Sequence, residues 1–144
     1  MLCTGAVTAA VLPLTGCALE SGATATAAAD DADLVQAALA DEADFAATCK
    51  GIRERNRSLT KQLDVVLAGQ EAHIAALAEL GEAPSAPNPT PKPGQSAASV
   101  SRTAARLHEK RMADSQAAQA GALAQLFASM AASHAVTAQY WRTR

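Results

Sequence analysis

Four polar side chains stand at helical spacing among apolar residues, and their chemical types could hold a metal ion. They are Glu42, Gln70, His73 and His134. Because residues three or four apart share one face of a helix, we expect each of them to point toward a helical core. Carboxylate oxygens and neutral imidazole nitrogens are ligands for divalent transition metals. The same groups could instead satisfy one another in a buried hydrogen-bond network without any metal.

Four helices are needed to position these residues, and the apolar periodicity predicts them at about 30–55, 58–80, 96–118 and 121–142. The composition is 49% hydrophobic but only 3% aromatic, and its abundant alanine favours helix and close helix packing. Asp30 and Asp31 at the start of the first helix, and Arg53 and Arg55 at its end, suit the helix macrodipole. We therefore predict an all-α fold, a four-helix bundle over residues 30–144.

A proline-rich connector over residues 82–95 separates the second and third predicted helices and holds most of the six prolines in the chain. A polyproline path of about 14 residues covers roughly 43 Å, whereas a helix of about 22 residues is about 33 Å long. The connector is therefore long enough to cross the whole bundle. Its length permits a topology in which the third helix begins at the end where the second helix began.

Two alanine-rich stretches carry a family resemblance: EAHIAAL over 71–77 and LFASMAASH over 126–134. With them the chain resembles the ferritin-like superfamily, and more closely a group of actinobacterial ferritin-like domain lipoproteins of unknown function. The resemblance implies a four-helix bundle with one long crossover between its second and third helices. In di-iron members the first and third helices each give one Glu, and the second and fourth each give Glu-x-x-His.

The di-iron ligand set is incomplete in this chain. Glu42 matches the ligand of the first helix, but Gln70 stands where the second helix should carry Glu before His73. No Glu precedes or follows His134 in the required pattern, and Glu109 lies to one side of the third helix. We therefore expect no cofactor and no enzyme activity, and favour a hydrogen-bond network. The alternative is a single-metal site formed by Glu42, His73 and His134.

The N-terminal residues resemble an export signal that ends in a lipidation site. Residues 5–16 are apolar but too short to span a bilayer. Leu14, Thr15, Gly16 and Cys17 resemble a bacterial lipobox, in which small residues flank the cleaved bond and the cysteine thiol receives lipid. This pattern predicts a signal segment over 1–17, a lipid anchor on Cys17 and a flexible tether over 18–29.

The predicted location follows from this segment. We expect an exported protein on the outer face of the cell membrane, anchored through Cys17, or a secreted one if cleavage occurs instead at the Ala-x-Ala site over 23–25. A signal segment needs a positive start, yet the first basic residue is Lys50. We therefore expect Met1 to be a mis-called start with a basic stretch upstream in frame.

The remaining groups predict little chemistry. A net charge of −2 gives no reason to expect nucleic acid as a partner. Arg102, Arg106, Lys110 and Arg111 are expected to form a solvated basic face, and Cys49 a small core residue. The favoured function is a non-catalytic structural or protein-interaction module of the cell envelope, with an unknown protein partner. The alternative is a ferritin-like metal-binding or redox protein.

Overall fold

The computed structural model describes residues 21–80 and 95–143, with side chains from residue 30 onward. These residues form four α-helices and no strand, so the predicted all-α bundle is confirmed for the described part of the chain. A 3-10 turn at Arg57–Leu59 joins the first two helices. The helices are α1 (Ser21–Arg55), α2 (Thr60–Leu80), α3 (Ala97–Ala117) and α4 (Gly121–Arg142).

The main difference from the predicted boundaries lies at the start of α1. This helix begins at Ser21, so residues 21–29 of the predicted flexible tether are helical, while residues 18–20 lie outside the described residues. Alanine has the highest helix propensity of all residues, and no proline interrupts this alanine-rich stretch. Local propensity therefore extends the helix beyond the point where its apolar stripe begins.

Two apolar clusters give the direction of each helix. The first cluster combines the C-terminal half of α1 with the N-terminal halves of α2 and α3 and the end of α4; it includes Phe45, Leu63, Leu107 and Trp141. The second combines the middle of α1, the end of α2 and the first half of α4, and Ala118, just after α3, packs against it; it includes Val35, Leu39, Leu77, Phe127 and Met130. Thus α1 and α4 run one way while α2 and α3 run the other.

The chain forms two helical hairpins, α1–α2 and α3–α4. The first hairpin finishes at one end of the bundle and the second begins at the other end. Arg55 at the end of α1 donates a hydrogen bond of 3.3 Å from Nη2 to the carbonyl oxygen of Gln95, just before α3. Helix α2 ends beside the second cluster, whereas α3 begins beside the first. Residues 81–94 must therefore connect the two ends, as the length of the proline-rich segment allows. The segment itself lies outside the described residues.

The start of α4 is held by a side chain from α1. Asp31 accepts backbone N–H bonds from Gln119 at 2.8 Å and from Ala120 at 2.9 Å, one on each carboxylate oxygen. A carboxylate at a helix N-terminus satisfies unpaired N–H groups and suits the positive end of the helix dipole. These two hydrogen bonds hold the turn between α3 and α4 against α1.

None of the helices in the described ranges combines the length and the apolar character that crossing a membrane requires.

Candidate metal centre

Glu42 forms the centre of a polar group in the middle of the bundle, between the two apolar clusters. It lies on α1 and is fully buried. Its Oε1 lies 2.9 Å from Nε2 of His134 on α4, and its Oε2 lies 3.1 Å from Nδ1 of His73 on α2. One carboxylate therefore holds two imidazoles, and the three side chains come from three different helices.

The pKa of Glu42 shows which groups carry the protons. Burial by itself raises this pKa, but the hydrogen bonds and charges of His134 and His73 outweigh burial and lower it to about 2. Glu42 is therefore ionised at neutral pH. Because an ionised carboxylate only accepts hydrogen bonds, Nε2–H of His134 and Nδ1–H of His73 are the donors.

The two imidazole rings are packed closely against each other. Their centroids lie 5.3 Å apart in an edge-to-face arrangement, and Phe45 lies 6.0 Å from the ring of His134. His134 is fully buried, whereas the side chain of His73 keeps 14% of its surface exposed. An ion could therefore approach from the His73 side.

The ligand atoms of the three residues fit a small divalent ion. One oxygen of Glu42 and one nitrogen each of His73 and His134 lie within 4.8 Å of one another. Tetrahedral bonds of about 2.0–2.2 Å place ligand atoms about 3.3–3.6 Å apart, so side-chain shifts on the order of 1 Å would close the set around one ion. Elsewhere in the described ranges, no other group of three such side chains comes this close.

One feature of His134 is unfavourable for a metal. Its Nδ1 is buried and has no hydrogen-bond partner. Metal-bound imidazoles usually donate from their second nitrogen to a carboxylate or carbonyl group, which raises their basicity. If Nε2 bound an ion, the ring proton would move to Nδ1, where that support is missing. The site therefore suits moderate rather than very tight binding.

The other residues of the di-iron pattern do not complete the site. Gln70 is 2% exposed, and its buried Oε1 forms no hydrogen bond, so it does not join the Glu42 network. Glu71 and Glu109 are exposed to solvent. A single carboxylate with two imidazoles is thus what the bundle brings together.

The predicted basic face is not solvated as a whole, and this expectation was wrong for Arg111. Arg111 is fully buried; its Nη2 donates to Asp41 Oδ2 at 2.6 Å, and Lys110 donates to the same oxygen at 2.5 Å. The guanidinium of Arg111 also lies 5.5 Å from the centre of the Phe127 ring. Since Asp41 precedes Glu42, these bonds between α1 and α3 help to fix the height of Glu42 in the bundle.

Asp114 shares this buried charged group. Its Oδ2 lies 3.3 Å from Nε of Arg111. Burial raises the pKa of Asp114, although the charges of Arg111 and Lys110 act against this and Asp41 adds to it. The sequence alone could not pair these groups, because Asp41 lies 70 residues from Arg111 along the chain.

Of the two cysteines with predicted roles, the structure describes Cys49 but not Cys17. Cys49 is fully buried, and burial raises the pKa of its thiol to about 12. It is a core residue, as predicted, and not a nucleophile, since the thiolate is the reactive form. Cys17 and the rest of the lipobox, Leu14–Gly16, lie outside the described residues. The remaining histidine, His108 on α3, bonds through its Nδ1 to the carbonyl oxygen of Ala131 on α4 at 3.0 Å.

The site thus offers one ionised carboxylate and two imidazole side chains in a buried setting, and carboxylate oxygen with imidazole nitrogen is a donor set that suits zinc or ferrous iron. Comparison of the whole chain with known protein families, with curated proteins and with solved structures gives no match.

Proposed function

We propose that this chain is a ferritin-like lipoprotein of the cell envelope whose bundle binds a single divalent transition-metal ion through Glu42, His73 and His134. The observation that carries the proposal is the convergence of these three side chains from three helices, with ligand atoms within 4.8 Å of one another. The connection of two antiparallel hairpins between opposite ends of the bundle supports the ferritin-like part.

The donor set argues for one ion and against a di-iron centre. Di-iron bundles use four carboxylates to hold and bridge two ions. Among the described residues only the Glu42 carboxylate lies in the site, because Gln70, three residues before His73, is neutral and Glu109 is exposed. A bound ion would supply a Lewis-acidic centre. The proposal is one of metal binding and includes no reaction.

A second candidate is the metal-free structural or interaction module that the sequence favours. It is supported by the hydrogen bonds themselves, since both oxygens of Glu42 are already paired with imidazole nitrogens. In that case the three residues would set the alignment of α1, α2 and α4, and an unknown protein would be the partner.

Metal analysis separates the two candidates. The untagged full chain is stripped with a chelator, loaded separately with Zn²⁺, Mn²⁺ or anaerobic Fe²⁺, and freed of unbound ions. We expect one ion per chain for the wild type and less than a tenth of that for the His73→Ala/His134→Ala variant. His108→Ala is the matched control, because it removes the third histidine of the chain but should keep the metal.

Two results would decide against the metal site. A wild-type chain that retains none of the three ions would favour the structural module. Retention of metal by the His73→Ala/His134→Ala variant would place binding elsewhere in the chain.

The envelope location is supported by the sequence alone and needs its own experiment. We propose that lipid on Cys17 anchors the chain to the outer face of the membrane, with no nucleic acid as partner. Mass spectrometry of the N-terminal peptide from a bacterial host should show a diacylglycerol-modified Cys17, and Cys17→Ala should move the protein out of the membrane fraction. An N-terminus that begins at Thr26, after the Ala-x-Ala site, would indicate secretion instead.

A further inference from the structure

A groove between α2 and α4 lies beside the first apolar cluster, separate from the metal centre. Its volume is about 380 Å³. Three large apolar side chains that line it are unusually exposed, with Val65 at 74%, Val136 at 70% and Tyr140 at 42%. Clustered apolar exposure of this kind marks binding surfaces in soluble domains. The lining residues are Lys61, Gln62, Val65, Val66, Val136, Thr137, Tyr140 and Trp141.

Two residues that line the groove each carry a buried polar atom. Trp141 is 3% exposed, and its Nε1–H has no hydrogen-bond partner among the described residues; Oε1 of Gln62 is likewise buried and has no partner among them. An unpaired buried donor is costly and uncommon in folded proteins. The indole nitrogen can only donate. A ligand that satisfies Trp141 must therefore bring an acceptor oxygen. The same ligand would suit Gln62 only with its amide rotated by a half-turn, so that the NH2 group takes the place of Oε1.

The charge of the residues that line the groove indicates the charge of the ligand. Lys61 is exposed and is the one charged residue among the described residues that line the groove. A cation beside a buried N–H donor and an apolar wall is complementary to an anionic oxygen on an alkyl chain. The volume lies near the lower end of the range for small-molecule sites, which suits one chain better than a two-chain phospholipid.

We propose that this groove binds a free carboxylic acid with a single medium-length alkyl chain. The alkyl chain would lie against Val65, Val66 and Val136, and the carboxylate would accept hydrogen bonds from Lys61 and from the indole of Trp141. This proposal does not depend on the metal centre or on the lipid anchor.

Trp141 is the single tryptophan of the chain, so its fluorescence reports directly on the groove. The full chain in detergent-free buffer is titrated with octanoate, decanoate and dodecanoate below their micelle concentrations. We expect saturable changes and a dissociation constant that falls about fourfold for each added CH₂ group, from about 0.8 kcal/mol per buried methylene. Decyltrimethylammonium, which has a cationic head, should bind at least tenfold more weakly than decanoate.

Two variants test the location of binding. Val136→Asp places a charge on the apolar wall at an exposed position, so the fold should survive and decanoate binding should be lost. Met112→Asp is the matched control, because Met112 is also apolar and exposed, at 41%, but does not line the groove. Trp141→Phe keeps an aromatic ring, a smaller one, and removes the donor, and calorimetry should show about tenfold weaker decanoate binding.

Several results would overturn the proposal. Unchanged fluorescence across the series would mean that no carboxylic acid binds. Equal affinity for decyltrimethylammonium and decanoate would show that Lys61 does not select an anionic head group. Binding that survives Val136→Asp, or that falls equally in Met112→Asp, would place the alkyl chain elsewhere.

Discussion

Replacing Glu42 with glutamine tests whether its ionised carboxylate stabilises the bundle. The pKa of Glu42 falls from 4.5 to about 2 on folding because two imidazole N–H groups bond to it. A pKa difference of this size corresponds to about 3 kcal/mol of folding free energy, fully present above pH 5 and lost as the pH falls toward 2. In the metal-free protein, Glu42→Gln should therefore be about 3 kcal/mol less stable at pH 7.

Urea denaturation followed by circular dichroism, in the presence of a chelator, measures this difference at each pH. The gap between wild type and Glu42→Gln should shrink to less than half its pH 7 value at pH 3, because protonated Glu42 resembles glutamine. Glu109→Gln is the control, since Glu109 is exposed and its replacement should change stability little. A gap that stays constant from pH 7 to pH 3 would refute the assignment of an ionised Glu42.

Three further predictions concern the frame around the site. Asp31→Ala should lower the free energy of unfolding by about 1 kcal/mol through loss of the cap on α4, whereas Asp33→Ala, at an exposed position, should not; equal losses would contradict the cap. Arg111→Met should cost about 3 kcal/mol, because the partly buried Asp41 loses its buried partner; an unchanged urea midpoint would contradict this. Alkylation at pH 8, read by mass spectrometry of the Cys49 peptide, should be slow in the folded chain and fast in urea; rapid labelling of the folded chain would show that Cys49 is accessible.

The parts of the fold that follow local rules could be predicted from the sequence. The apolar periodicity located α2, α3 and α4 within two residues of their observed bounds, because amphipathic spacing and proline or glycine punctuation are local features. The same periodicity placed Glu42, His73 and His134 on inward faces, where the structure brings them together. Whether they bind a metal stays a prediction.

Other features depend on residues far apart in the chain, and the sequence could not reveal them. The pairing of Asp41 with Arg111 joins α1 to α3, and the cap formed by Asp31 on α4 spans 88 residues. The start of α1 was missed for a different reason. An alanine-rich segment without large apolar residues can form either a tether or a helix, and the high helix propensity of alanine was the one feature that favoured a helix. The groove at Trp141 also escaped detection, because exposed valines on two helices look ordinary until the helices are packed.

The most direct test of the metal centre is the X-ray absorption spectrum of the zinc-loaded full chain. We predict two imidazole ligands per zinc ion, with zinc–nitrogen distances of about 2.0–2.1 Å, together with oxygen from Glu42. The imidazole contribution should disappear in the His73→Ala/His134→Ala variant. A spectrum without imidazole scattering, or one that the double substitution leaves unchanged, would contradict a metal site at Glu42, His73 and His134.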